Sequence, residues 1–208
     1  MSFFGVPSDH RATACGGDST QDPLNTANLS SAEITAVANA LTSGASSVSS
    51  SAASSADVLP ASGNVLALPG GAAPTSPNTI SVPLNNSVAC PVSGRVSYAG
   101  NIIDTYTTSS TGAITSWDLT AVLTFNYGDP TNNLNDCKVT SDLVVDGTLN
   151  FILNGDNTSG IEWTLNGTIE IDQPVNGGLS PRGSCMIAIG QMKGATTVTG
   201  SVCGQSIN

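Results

Sequence analysis

The chain has 208 residues, of which only 10% are charged, with fifteen acids against five bases and a net charge of −10. Phosphate binding needs clustered Lys and Arg, and here Arg11, Arg95, Lys138, Arg182 and Lys193 are scattered, which argues against a nucleic-acid partner. No window approaches eighteen continuous apolar residues, so no membrane-spanning helix is expected, and polarity carried by Ser, Thr, Asn and Gly is that of an exported β-protein.

At the N-terminus only residues 3–6 form an apolar run before Asp9, His10 and Arg11, too short for the core of a signal peptide. Farther on, Ala12-Thr13-Ala14-Cys15-Gly16-Gly17-Asp18-Ser19 places small side chains before a Cys and Gly, Asp and Ser after it. This stretch resembles the cleavage region and mature start of a bacterial lipoprotein, without that family's long hydrophobic run or its Leu three residues before the Cys. The resemblance implies a lipid anchor on Cys15, which would be the chain's only attachment to a membrane. Residues 1–28 are accordingly read as a disordered or anchor segment.

A short helix is expected over 29–43. Ser30 and Glu33 have the spacing of a capping box, Leu29 and Ile34 that of the hydrophobic staple around it. Ile34, Val37, Ala38 and Leu41 share a face, and Gly44 is the expected stop. From 44 to 78 the chain is dominated by Ser, Ala, Pro and Gly, a low-complexity composition that reads as linker.

The β-domain is expected over 79–208. Ile80, Val82 and Leu84 alternate with polar neighbours, as do Val92, Gly94, Val96 and Tyr98, and a weaker strand covers 102–106. Trp117, Leu119, Ala121, Leu123, Phe125 and Tyr127 then give one apolar face opposite Asp118, Thr120, Thr124 and Asn126. The strongest pattern runs over 137–172, where odd positions such as Leu143, Val145, Leu149, Phe151, Leu153, Ile161, Trp163, Leu165, Ile169 and Ile171 are apolar. That period of two is a strand's, not a helix's.

A hairpin centred on Asn157 keeps these positions on one face, pairing Leu153 with Ile161, Phe151 with Trp163, Leu149 with Leu165 and Gly147 with Gly167; a slip by two residues preserves the same parity. In this register the facing glycines mark a bend, Asp142 faces Asp172, and aligning Tyr127 with Cys137 brings Trp117 over Gly147. Residues 174–182 read as a loop, and 186–192 with 196–202 as a final hairpin. Seven or eight mostly meandering strands predict an all-β, antiparallel sandwich or barrel, preceded by the short helix and the linker. An aromatic content of 4% is too small for the two girdles of an outer-membrane barrel.

Five cysteines leave Cys15 apart from Cys90, Cys137, Cys185 and Cys203. Cys185 and Cys203 are equidistant from Gly194, so a bridge across the final hairpin would leave Cys90 for Cys137, although four cysteines allow three connectivities. Bridges imply an extracytoplasmic location: outer membrane, periplasm or cell surface. The spacings are not those of a zinc site, and no metal or other cofactor is expected.

His10 is the single histidine, which removes Ser-His and Cys-His nucleophile systems and leaves no expected catalytic residue. Asp142 with Asp172, and the oxygen-rich loop 154–160, suggest at most a shared proton or a cation, and a solvated strand end and a plain turn are the preferred readings. The Asn-x-Ser/Thr sites at Asn28, Asn85, Asn157 and Asn166 carry no weight in a chain of this composition. The reading is therefore a non-enzymatic exported β-domain tethered at a cell surface, with a structural or interaction role and a protein or apolar small-molecule partner. The alternatives are a carrier whose apolar ligand lies against Trp117, Phe125, Phe151 and Trp163, or a homo-oligomeric fibre that donates 80–84 or 65–68 as a strand.

Overall fold

The computed structural model describes residues 25–58, 77–109, 114–128, 136–156, 158–176 and 178–208. Cys15, His10 and the donor segment 65–68 lie outside them.

Helix α1 spans Ser31–Val58. Its start is the capping box: the Glu33 N–H donates to Ser30 Oγ at 3.4 Å, and the Ser30 N–H donates to Glu33 Oε2 at 2.7 Å. The helix does not stop at Gly44. Ala45 and Val48 continue the stripe of Ile34, Val37 and Leu41, and all five are buried. Residues 44–58 are thus helix and not linker. Ala is the strongest helix former, and the Ser49 and Ser51 hydroxyls donate back to the carbonyls of Ala45 and Ser47 at 2.9 Å each. Gly44 serves a close contact: a Cβ there would lie 3.5 Å from Phe125 Cε1.

The nine strands among the described residues form one antiparallel sheet. In chain order they are β1 (Asn78–Ala89), β2 (Arg95–Thr108), β3 (Ile114–Asn126), β4 (Cys137–Thr140), β5 (Leu143–Asp156), β6 (Gly160–Val175), β7 (Gly178–Gln191), β8 (Thr199–Val202) and β9 (Gln205–Ile207). They meander in the order β1-β2-β3-β5-β6-β7-β8-β9, with β4 placed beside β5 beyond the end of β3. The sheet is open, since β1 and β9 are not paired with each other. Its inner face is covered by α1, which lies against β2, β4, β5, β6, β8 and β9, giving a sandwich-like pair of layers.

Three local expectations are corrected. The 137–153 pattern is not one strand: the chain folds back at Ser141 and Asp142, where the Asp142 N–H donates to Thr140 Oγ1 at 3.3 Å. A register shift between Lys138 and Thr140 restores the parity, so the alternation survives the turn. Residues 174–175 and 178–182 are strand, because β6 and β7 stay paired out to Val175 and Gly178. Both faces are largely solvated there, which erased the alternation. Residues 25–28, expected in the anchor segment, are docked. The N–H groups of Thr26 and Ala27 donate to Ser184 O at 3.0 Å, on the edge of β7 that β8 leaves free.

The central hairpin is slipped by two residues from the symmetric expectation. Leu153 faces Trp163, Phe151 faces Leu165, Leu149 faces Gly167 and Gly147 faces Ile169. Each glycine thus lies opposite a large aliphatic side chain, which fills space better than two facing glycines. The turn reinforces this choice: Asp156 accepts the N–H groups of Thr158 and Ser159, and Gly160 takes a left-handed φ of 84°. Trp117 consequently lies against Gly155, not Gly147; a Cβ on Gly155 would be 3.3 Å from Trp117 Cζ3.

The helix–sheet contact at Gly44 yields a pair of expected outcomes for urea denaturation. Gly44→Ala gains about 1 kcal/mol, the helix propensity difference, because its methyl meets Phe125 at ordinary contact distance. Gly44→Leu loses about 2 kcal/mol through overpacking. Equal stability of the two variants would place Gly44 away from the ring.

Candidate functional site

On the inner face the residues foreseen as a ligand wall form a stack under α1. Tyr98 and Phe125 have ring centroids 5.4 Å apart, Phe125 and Phe151 5.2 Å, and Phe151 and Trp163 5.9 Å. Phe125, Phe151 and Trp163 are buried, and Ile34, Val37, Leu41 and Val48 of the helix belong to the same core. Trp117 sits apart from the stack, half-buried beside Gly155.

The outer face carries a different feature. At the outward positions of β7 stand Ala188 and Gly190, beside Asn166 and Thr164 of β6 and Ser201 and Thr199 of β8. These small side chains leave a trough of about 510 Å³, bounded by Ile152, Asn154 and Glu162 on one side and Met192 on the other. The Met192 wall is held from below. Trp163 Nε1–H donates to Gln191 Oε1 at 3.0 Å, and Gln191 Nε2–H donates to the Ala195 carbonyl at 2.6 Å.

Lys193 fixes the other end of this wall through Asp156, with Nζ 2.7 Å from Oδ2. This hydrogen bond, helped by the Thr158 and Ser159 donors, holds the Asp156 carboxyl well below its ordinary range, and in return it raises Lys193. Of the expected loop 154–160, residues 154–156 end β5 and Gly160 begins β6, and the one carboxylate of this stretch, Asp156, is already partnered. Sequence reasoning missed Gln191, Lys193 and the trough. Their only trace was the pair of small residues at 188 and 190, both at outward positions of a strand.

Charge is absent from the middle of this face. The row Asn85, Ala99, Thr124, Asn150, Asn166, Ala188, Ser201 crosses seven strands without an ionisable group, as does its neighbour Pro83, Asn101, Val122, Ile152, Thr164, Gly190, Thr199. Val122 in that second row is 61% exposed. Acids gather toward the ends. Asp146 faces Glu170, while Asp172 faces Val144 and not Asp142, a consequence of the two-residue slip. Burial, then the neighbouring Asp146, raise the Asp172 pKa. Among the described residues no three His, Cys, Asp or Glu side chains converge as a metal site would require.

Both bridges are formed, Cys90 with Cys137 and Cys185 with Cys203. They point to an oxidising, extracytoplasmic environment. No described helix is long and apolar enough to cross a membrane. The segment 80–84 is part of β1 and is paired with β2 of the same chain. Comparison with protein-family models, with curated proteins and with solved structures finds no match. The class is therefore that of a disulfide-bridged, antiparallel all-β domain, and its site is read from its own chemistry.

Glu33 and Asp104 give opposite responses to pH. Glu33 pairs with Arg182 and accepts from Ser30, which brings its pKa from 4.5 to about 2. Its contribution is complete above pH 4.5 and is lost as the pH falls from there through 2. Asp104 is shifted the other way. It is 5% exposed with Oδ1 unpartnered, and burial, then Asp118, raise its pKa above 3.8. The unfolded chain ionises it first, so stability falls as the pH rises from 3.8 through the raised value. Asp104→Asn is expected to raise the unfolding midpoint at pH 7 by about 3 °C, the shift for about 1 kcal/mol in a domain of this size. Below pH 3.8 the variant and the parent should nearly coincide. An unchanged midpoint at pH 7, read by circular dichroism, would show that the buried carboxylate costs nothing.

Proposed function

We propose that this chain is a non-enzymatic exported domain, tethered at a cell surface through a lipid on Cys15, that works by binding with the outer face of its sheet. The observation that carries the reading is the contrast between the two faces. The inner one is filled by α1 and the aromatic stack, whereas the outer one holds a trough with a braced wall. This supports an exterior site over an interior carrier cavity. The strand-donation alternative draws no support from β1, whose residues 78–89 are all paired within the chain.

The tether fits the place where the chain enters the fold. Asn25 accepts the Met186 N–H at 2.8 Å and lies beside Gly204, while the trough opens farther along β7, from Ala188 to Met192. The ten residues from Cys15 to Asn25 span at most about 35 Å, so an anchored domain would stay close to the bilayer. Ser184, Arg182 and Met186 clamp residues 25–28, so a pull on the tether would act on β7 beside the Cys185–Cys203 bridge.

Intact mass of the protein isolated from its native membrane and soluble fractions, before and after reduction and alkylation, tests this reading. The expected form lacks residues 1–14, carries a diacylglycerol-sized addition on Cys15 and contains both bridges. An unprocessed chain with five free thiols would overturn both the tether and the export.

A further inference from the structure

We propose that the trough on β5–β8 takes a neutral, hydroxyl-rich ligand, a segment of glycan chain; this rests on the reading of the domain as a surface-binding module. Of the polar groups that line it, the Asn154 and Asn166 amides and the Thr164 and Thr199 hydroxyls each both donate and accept hydrogen bonds; Gln191 is engaged by Trp163 and Ala195, and the Glu162 carboxyl at the border adds oxygen acceptors for ligand hydroxyls. A sugar hydroxyl has the same double character, so it can pair with any of these amides and hydroxyls in either orientation. A carboxylate or phosphate ligand would need fixed donors, and the lining holds no Lys or Arg, its one ionisable side chain being Glu162, while the nearby Lys193 is held by Asp156. A net charge of −10 repels polyanions further.

The floor completes the match. Ile152 and Ala188 present exposed apolar surface between those polar groups, suited to the C–H face of a pyranose ring. The volume of about 510 Å³ lies within the range of about 300–1,000 Å³ typical of small-molecule sites. Beyond Ile152 the same uncharged row runs on through Val122 and Asn101, so a longer chain can continue across the strands. The braced Met192 wall limits what has to be ordered on binding.

Isothermal titration of the full chain, with its bridges intact, against the hexasaccharides of cellulose, chitin and mannan tests the assignment, with a polygalacturonate oligomer and a neutral peptide as controls. The expected result is binding of at least one neutral hexasaccharide and of neither control. Ala188→Trp, at an exposed strand position that favours aromatics, should weaken that binding at least tenfold with the unfolding midpoint unchanged. Thr164→Ala, which removes one hydroxyl without filling the trough, should weaken it several-fold. Failure of all three neutral sugars at millimolar concentration, or undiminished binding by a folded Ala188→Trp, overturns the assignment. Neither result bears on the mass of the native form, so the tethered-module reading stands or falls separately. Binding of the neutral peptide alone would overturn the glycan while keeping the module.

Discussion

An open antiparallel sheet presents two faces to water unless a second layer covers one of them. In this domain the cover is α1, and the aromatic row of Tyr98, Phe125, Phe151 and Trp163 is the surface on which it rests. One helix spans the width of a multi-stranded sheet only if the strands curl toward it and the backbones come close. Gly44 supplies the close approach on the helix side. On the sheet side, Gly147 and Gly167 lie opposite Ile169 and Leu149, so the aliphatic side chains fill the space beside each bare backbone. Packing at native density leaves little freedom in this arrangement.

The same constraint explains which parts of the structure the sequence disclosed. Alternation over 117–127 and 143–171 is legible because those strands have one face under α1 and the other in water. It carries parity but not register, since slips by two residues look identical, and the choice between them was made by Leu149 against Gly167 and by the Asp156 turn. Where both faces of a strand are wet, as at 174–175, at 178–182 and through much of β1, the pattern fades and proline no longer excludes a strand. Residues 45–58 failed in the opposite sense. A Ser/Ala tract has linker composition, yet Ala45 and Val48 fall on the stripe begun by Ile34, so a longer window would have continued the helix. The disulfide pairing was legible from the symmetry of the last hairpin. The trough was not, because a depression is made by what four strands and a loop bring together, and no single segment encodes that.

Electrostatics follow the layering too. With so few charges, each one that pairs across elements has a definite structural task. Arg182 holds Glu33 and the Asn28 carbonyl, joining the helix start to β7, and Lys193 holds Asp156, joining the loop after β7 to the β5–β6 turn. Exposed pairs of this kind contribute little stability by themselves, but they fix how loops sit on the sheet. Asp146, Glu170 and Asp172 gather toward one end of the β5–β6 pair, and the two middle rows of the outer face stay free of ionisable groups.

That neutrality would mean little if packing dictated every residue of the trough, so the two small side chains of its floor must be separated. Gly190 has a structural reason to be glycine: a Cβ there would come 2.6 Å from the Trp163 carbonyl oxygen, where β7 crowds β6. Ala188 has none of that kind. It is an exposed outward position between Asn166 and Ser201, where a β-branched or aromatic residue would favour the strand. Met192, 66% exposed at the lip, likewise contributes nothing to the core, although Gln191 and Lys193 on either side of it are spent on holding its loop in place. A fold that needed only to close its core would leave position 188 free to fill and this loop free to move. The depression and its braced wall are therefore features of the outer surface in their own right, which closing the core does not require.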